Sequence, residues 1–181
     1  MMGKTGCGKT TILEAICGLR KINSGTIMLN GQDITKMKPA ERCIGYVPQD
    51  GALFSSMDVR GNLSFSLRIR GWDKKRISVR VSELADLLGI HHLLDRNITG
   101  LSGGERQRIA LGRGLAFYPE FLCMDEPLSA LDEPTRDEMY ALLKTLKTEL
   151  KITALHISHS MNDAEVLADK ILKMENNQII E

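Results

Sequence analysis

Apolar residues recur at helical spacing in three parts of the chain. This spacing predicts a helix over Lys9–Cys17, a helical region between Val59 and Leu94, and a long helix over Pro134–Leu150. The positions expected to face the core are Ile12, Leu13 and Ile16 in the first segment, Val79, Leu84, Leu87 and Leu88 in the second, and Met139, Leu142, Leu143, Leu146 and Leu150 in the third.

Shorter apolar runs bounded by turn residues predict the strands. Residues 25–34 form two short strands joined by Asn30-Gly31, a pair typical of tight hairpin turns. Further strands are predicted at Ile44–Gln49, Phe121–Asp125 and Ile152–Ser158, with a closing pair around Ile171–Met174 and Gln178–Ile180. Beyond Gly100 strands alternate with helices, which predicts an α/β fold with a mainly parallel sheet covered by helices.

Composition narrows the classes of function. A length of 181 residues suits one domain. Lysine plus arginine (24) nearly balances aspartate plus glutamate (23), and only 4% of residues are aromatic, so no nucleic-acid partner is expected. No apolar run suits a membrane span or a signal peptide, so we expect a cytosolic chain. The four cysteines lack metal-site spacing and are expected to be reduced, mostly buried thiols: Cys7, Cys17, Cys43 and Cys123.

The stretch "GKTGCGKT" fits the phosphate-binding pattern G-x-x-x-x-G-K-[ST]. Its glycines, Gly3, Gly6 and Gly8, let successive backbone amides face one anion at the start of a helix. Lys9 is then placed for the outer phosphates and Thr10 for Mg²⁺. An ordinary glycine turn before a helix is the alternative interpretation.

The stretch "FLCMDEP" supplies the acids that such a loop requires. A buried strand would deliver Asp125 to the metal, and Glu126 would follow where it can polarise a water for attack on the terminal phosphate. A strand running into an acidic turn is the alternative interpretation.

The stretch "LSGGERQRIALGRGLA" predicts a second helix that opens on an anion-binding end. Ser102 can cap this helix, whose first turn contains Gly103, Gly104 and Glu105. Because the sequence specifies only one magnesium site, two chains that pair head to tail would use both helix ends. A simply capped amphipathic helix is the alternative.

Together with "MDEPLSALD", these motifs resemble the ATP-binding subunits of ABC transporters, in the bacterial importer branch. The resemblance spans essentially the whole chain. It implies a P-loop NTPase domain over residues 1–181, with a helical insertion at about 50–118 and without the first strands of the family domain. It also implies ATP and Mg²⁺ as cofactors, and a homodimer or paired ATPase subunit. Further implied partners are transmembrane permease subunits at the cytoplasmic side of the membrane and, indirectly, a solute-binding protein.

The resemblance assigns roles residue by residue. Nucleotide binding falls to Gly3, Lys4, Thr5, Gly6, Cys7, Gly8, Lys9, Thr10 and Thr11. The signature, offered to the nucleotide of the other chain, is Leu101, Ser102, Gly103, Gly104 and Glu105, and the D-loop is Ser129, Ala130, Leu131 and Asp132. The catalytic residues are Glu126, His159 and Gln49, and the metal ligands are Thr10, Gln49 and Asp125. Read alone, Gln49 could be an exposed turn residue, His159 a structural histidine, and Asp132 a cap for the helix at Pro134.

The stretch "TALHISHSMNDAEVLADKILKM" is similar to ATPases that drive molybdate or tungstate uptake, with sulfate, iron and polyamine importers as alternatives. The sequence departs from the family pattern at three residues. Ser160 replaces the aspartate that usually follows the switch histidine. Gly112 and Gly114 replace alanines in the signature helix, and each costs roughly 0.5 to 1 kcal/mol of helix stability unless packing demands glycine.

The beginning of the chain also departs from the family. The strand that feeds the loop and the adenine-stacking aromatic residue are expected to be missing, as if the numbering began at an internal methionine or the chain were cut. A fragment unable to bind ATP is therefore one alternative. The other is an ABC-type ATPase of DNA repair or translation, against which the lack of a coiled coil, zinc fingers and basic surface argues.

Overall fold

The structure, a computed structural model, describes residues 1–175 and 178–180. The described part contains six helices: α1 (Lys9–Cys17), α2 (Val59–Ile69), α3 (Lys74–Leu87), α4 (Gly103–Leu115), α5 (Glu133–Leu150) and α6 (Met161–Leu167). Its strands are β1 (Met2–Gly3), β2 (Met28–Leu29), β3 (Gln32–Asp33), β4 (Ile44–Val47), β5 (Phe121–Asp125), β6 (Thr153–Ile157), β7 (Lys173–Glu175) and β8 (Gln178–Ile180). The predicted domain of 1–181 also includes Asn176, Asn177 and Glu181, which lie outside the described residues. No helix in the described part has the length and apolar character of a membrane span.

Two three-stranded groups form most of the sheet. Strands β4, β5 and β6 lie parallel, with Phe121 opposite Ile44 on one side and Thr153 on the other. Strand β1 pairs in parallel with β7, and β7 pairs antiparallel with β8. The mainly parallel α/β fold predicted from the sequence is confirmed.

The backbone of Met1 joins these two groups. Its amino group donates to the carbonyl of His156, and its carbonyl accepts a 3.2 Å hydrogen bond from the amide of Ser158. On the other side the Met2 amide donates to Leu172 at 2.8 Å. The strand order is therefore β4-β5-β6-β1-β7-β8, with the glycine-rich loop leaving β1 in the middle. The expectation that no strand feeds the loop is wrong, because neighbours on both sides hold even a two-residue strand in register.

The hairpin predicted for residues 25–34 is confirmed. Strands β2 and β3 pair antiparallel, with Met28 opposite Asp33. Asn30 and Gly31 adopt φ values of 48° and 81°, the left-handed conformation that a tight hairpin turn requires.

One large apolar cluster fills the space between the sheet and helices α2 to α5. Leu84 and Leu88 are fully buried and Leu87 partly so, as predicted, but Val79 is wrong as a core residue, since it is 53% exposed. The buried face of α3 is centred on Val81, Leu84 and Ala85. Val79 precedes Val81 by two residues, about 200° around a helix, and therefore points away from the core.

A smaller cluster on the other side of the sheet seats α1. Leu13 is fully buried in it, and Ile12 and Ile16 pack against it. Cys17 on α1 and Cys123 on β5 are buried there, whereas Cys7 and Cys43 are half-buried. All four are free thiols, as expected.

Packing explains the two glycines of α4. A Cβ atom at Gly112 would lie 2.5 Å from Leu63 Cδ2 and 2.7 Å from Leu88 Cδ1. At Gly114 the nearest atoms, on Val47 and Leu122, would be 3.2 and 3.3 Å away. The close approach of α4 to α2 therefore requires glycine at residue 112. The longer distances at residue 114 make glycine less strictly required there.

Candidate nucleotide-binding site

The glycine-rich loop lies between β1 and α1. Gly6 and Gly8 have φ values of 80° and 100°, which are readily adopted only by glycine. Gly8 is the N-cap of α1 and provides no side-chain cap, so the first amides of this helix keep no side-chain partner at the cap. The loop therefore presents backbone donors and the positive end of a helix dipole to an anion.

Lys9 lies inside the curve of this loop. It is 5% exposed, and its Nζ atom donates to the carbonyls of Gly3 at 2.9 Å and Lys4 at 3.0 Å. Cys7 Sγ lies 3.9 Å from the same nitrogen. The ammonium group is thus held at the centre of the turn, where it can meet phosphate oxygens.

Asp125 ends β5 beside this loop. Its side chain is 2% exposed, and Oδ1 has no hydrogen-bond partner in the described part of the chain. Burial raises the pKa of this carboxyl, while a hydrogen bond from the Thr10 hydroxyl opposes the increase. A buried carboxylate oxygen without a partner, next to a hydroxyl, fits the ligand set of a hard cation such as Mg²⁺.

The three predicted catalytic residues meet at one carboxylate. Glu126 accepts a hydrogen bond from Gln49 Nε2 at 3.3 Å on Oε2, and His159 Nε2 lies 2.5 Å from Oε1. Glu126 has a φ of 45°, and its amide donates to the carbonyl of Ile157 at 3.0 Å. This left-handed residue turns its side chain between the ends of β4 and β6.

A buried network fixes the segment that carries His159. Asp163 Oδ2 accepts from Ser158 Oγ, and Oδ1 accepts from the hydroxyl of Tyr140, both at 2.5 Å. Ser160 caps α6 by accepting from the Asp163 amide at 3.3 Å. Ser160, which stands in place of the usual aspartate, therefore caps the turn before α6. The contact to the ring of His159 comes from Glu126 instead.

Sequence reasoning missed Asp163 and Tyr140. A signal for Asp163 was present, because Ser160-x-x-Asp163 is a capping pattern at the start of a helix. Tyr140 lies 23 residues from Asp163 and no local spacing connects the two.

The predicted signature starts α4 and is capped as expected. Ser102 Oγ accepts from the Glu105 amide at 3.2 Å, and Glu105 Oε2 accepts from the Ser102 amide at 2.7 Å. This backbone hydrogen bond lowers the pKa of Glu105. Leu101 and Gly104 are buried, and a Cβ at Gly104 would meet Thr135 Cγ2 at 2.6 Å. The helix end is thereby fixed against α5 while Ser102 and its neighbour Gly103 stay exposed.

The predicted D-loop contacts both Glu126 and the start of α4. Ser129 Oγ donates to the carbonyl of Glu126 at 2.9 Å, and Leu131 is buried beside Gly103. Asp132 lies at the N-cap position of α5, which begins at Glu133, as the alternative interpretation of this residue predicts, but its side chain makes no cap hydrogen bond.

Two groups of predicted residues are therefore separate within one chain. The first comprises the loop from Gly3 to Thr11 with Gln49, Asp125, Glu126 and His159. The second comprises Leu101–Glu105, whose hydrogen bonds in the described part do not reach the first group.

Comparisons with known proteins show the family to which the chain belongs. A profile of the ABC transporter family matches residues 1–129. A molybdate/tungstate import ATP-binding protein, WtpC, of Thermococcus kodakarensis is 44% identical over 181 residues, covering all of this chain and 55% of that protein. The WtpC protein of Archaeoglobus fulgidus is 44% identical over 182 residues, covering all of this chain and 75% of that protein.

A bacterial relative is similar to this chain over nearly its whole length. The molybdenum import ATP-binding protein ModC of Rhodopseudomonas palustris is 40% identical over 184 residues, covering 99% of this chain and 49% of that protein. The chain spans about half the length of most of the curated relatives it matches. The chain therefore belongs to the ABC transporter ATP-binding family.

Proposed function

We propose that the chain binds ATP with Mg²⁺ at the loop between β1 and α1 and hydrolyses it. The observation that carries this proposal is the Glu126 carboxylate, contacted by Gln49 and His159, one residue beyond the buried acid Asp125. Such a carboxylate can take a proton from a water that attacks the terminal phosphorus, while the loop amides and Lys9 hold the phosphate oxygens.

The remaining residues orient this reaction. Gln49 and His159 keep the Glu126 carboxylate aimed at the site, and His159 can donate a hydrogen bond to the terminal phosphate when the histidine leaves the carboxylate. Thr10, Asp125 and Gln49 would hold Mg²⁺, which neutralises charge on the phosphate oxygens when bound. No cluster of three or more histidine, cysteine, aspartate or glutamate side chains suited to a metal lies in residues 1–175 and 178–180, so phosphate and water oxygens would complete this ligand set.

Two copies would pair head to tail around two nucleotides. The exposed start of α4 supports this arrangement, since Ser102 and Gly103 offer a second anion-binding helix end to solvent. The helical insertion at about 50–118 would transmit closure and opening to transmembrane permease subunits at the cytoplasmic face of the membrane.

The names of the relatives support import of an oxyanion. The two archaeal relatives are named for molybdate and tungstate, the Rhodopseudomonas protein for molybdenum, and an sn-glycerol-3-phosphate import ATP-binding protein of Roseobacter denitrificans is 39% identical over 178 residues. We therefore assign the chain to uptake of molybdate, tungstate or a related oxyanion, delivered by a solute-binding protein.

A titration with a fluorescent ATP analogue and an assay of phosphate release test the proposal. We expect saturable binding that strengthens with Mg²⁺, and loss of the Mg²⁺ effect in Asp125→Asn. Absence of binding at millimolar nucleotide would contradict the proposal for this chain.

A further inference from the structure

The turn between α2 and α3 concentrates positive charge. Within nine residues it carries five exposed basic side chains and one acid, Asp73, whereas the whole chain has a net charge of only +1. We call this segment the basic turn; its cations are Arg68, Arg70, Lys74, Lys75 and Arg76. Such a local excess is not explained by the chain's nearly balanced composition.

The chain's own acids do not neutralise the basic turn. None of its five cations forms an ion pair within residues 1–175 and 178–180. Asp73 is occupied as the N-cap of α3, where it accepts from the Arg76 amide at 2.9 Å. Arg68 donates to the carbonyl of Gly61 at 3.2 Å. The charge is therefore available to an external anion.

Three of these cations oppose the local helix dipole. Lys74, Lys75 and Arg76 form the first turn of α3, which contains no acid. Cations at the positive end of a helix repel its dipole, and the single carboxylate at this end, the Asp73 N-cap, offsets only part of the repulsion from three cations. A sequence that breaks a local rule in this way is typical of a functional surface.

Exposed apolar side chains border the basic turn. Ile69 is 69% exposed, Tyr118 55% and Val79 53%. The Arg76 guanidinium lies 3.6 Å from the centre of the Trp72 ring, and that ring stacks on Tyr118 with centroids 6.2 Å apart. These rings also line an open cleft of about 450 Å³ between α3 and the segment after α4. Cations and apolar groups thus share one surface.

We propose that the basic turn and the apolar side chains beside it bind the anionic headgroups of a membrane surface. The cations complement lipid phosphates, and the exposed aliphatic and aromatic groups fit the boundary between headgroups and acyl chains. A nucleic-acid backbone would satisfy the cations but leave Ile69 and Val79 in water. This contact goes beyond the proposed function, because it is made by the chain itself without nucleotide or permease.

Trp72 is the only tryptophan, so its fluorescence reports directly on this surface. The complete chain is titrated, without nucleotide, with vesicles of phosphatidylcholine alone and of phosphatidylcholine mixed with phosphatidylglycerol. We expect a blue shift and sedimentation with the anionic vesicles only, both weakening as salt rises.

Replacement of Lys74, Lys75 and Arg76 by glutamine should weaken binding to anionic vesicles roughly 100-fold. Replacement of three other exposed lysines by glutamine, at Lys21, Lys36 and Lys38, changes the net charge by the same amount. These replacements should weaken vesicle binding much less. Ile69→Ser should weaken vesicle binding several-fold while leaving any binding to duplex DNA unchanged. Circular dichroism of each variant checks that α3 remains folded.

Several results would overturn the proposal. They are equal binding to both kinds of vesicle, no binding to anionic vesicles, equal losses in the two triple variants, or tighter binding to duplex DNA or polyglutamate than to anionic vesicles. Because no nucleotide is present, failure here is distinct from failure of ATP binding.

Discussion

His159 Nε2 lies 2.5 Å from Oε1 of Glu126, while Gln49 Nε2 donates to the other carboxylate oxygen at 3.3 Å. The three residues come from the ends of β4 and β5 and from the segment after β6. Adjacent parallel strands end at the same edge of the sheet, so side chains more than a hundred residues apart meet here. This arrangement aims one carboxylate at the place where a water would attack.

Replacement of Glu126 by glutamine tests its role as a general base. Glutamine keeps the size of the side chain but cannot take the proton, so hydrolysis should slow by roughly 10² to 10⁴ while ATP binding and pairing persist. Phosphate release and nucleotide titration measure the two effects separately. Glu149→Gln, on an exposed part of α5, is the matched control. Unchanged turnover in Glu126→Gln would remove this residue from the role.

Asp125→Asn should stabilise the chain when Mg²⁺ and nucleotide are absent. Burial raises the carboxyl pKa, so at neutral pH the folded state holds a charged group that it disfavours. Removing that charge should add about 1 kcal/mol to the free energy of unfolding, an example of stability given up for function. The gain should shrink as the pH falls below the raised pKa and should vanish well below pH 3.8, where the wild-type carboxyl is protonated in both states. Urea unfolding at several pH values measures it, and a less stable variant at pH 7 would contradict the argument.

His156 should make stability fall in mild acid. Burial lowers its pKa from 6.5 to about 4, so between these values the unfolded chain binds a proton that the folded chain excludes. Stability is therefore lost as the pH falls through this window, by up to about 3 kcal/mol. The free energy of unfolding of the wild type minus that of His156→Gln should fall by up to about 3 kcal/mol between pH 7 and pH 4. Parallel pH profiles for the two proteins would show that this histidine does not contribute.

Gly112→Ala should destabilise the helical layer. Its Cβ would overlap Leu63 and Leu88, both fully buried and unable to move without disturbing the core. We expect a loss of about 1 to 3 kcal/mol by thermal unfolding. Gly114→Ala, with its nearest contacts at 3.2 Å, is the comparison and should change stability by less than about 1 kcal/mol. Equal effects of the two substitutions would show that close helix packing is not the reason for glycine at residue 112.

Much of the architecture followed from local patterns. The helix at Lys9–Cys17 and the strand at Phe121–Asp125 match the prediction residue for residue, since each has a continuous pattern and a clear boundary. Val79 failed because helical spacing shows which residues share a face, whereas neighbouring elements decide which face is covered.

The site was predictable where motifs are contiguous and not where packing decides. The sequence placed Asp125 and Glu126 correctly at the end of a buried strand. It could not show that Tyr140 on α5 supports the turn before α6, because that contact depends on how two helices pack. The sequence also predicted that Gly112 lowers helix stability, but it could not show the close contact with Leu63 and Leu88 that requires glycine there.

The central claim is that the capped start of α4 completes the nucleotide site of a second chain. Sedimentation velocity with and without ATP tests this claim. All chains carry Glu126→Gln to prevent turnover, and Ser102→Arg is compared with Ser78→Arg, a control at an exposed residue. The account predicts ATP-dependent dimers for Glu126→Gln and the control, and monomers with undiminished ATP affinity for Ser102→Arg. ATP-dependent dimers of Ser102→Arg as abundant as those of the control would contradict it.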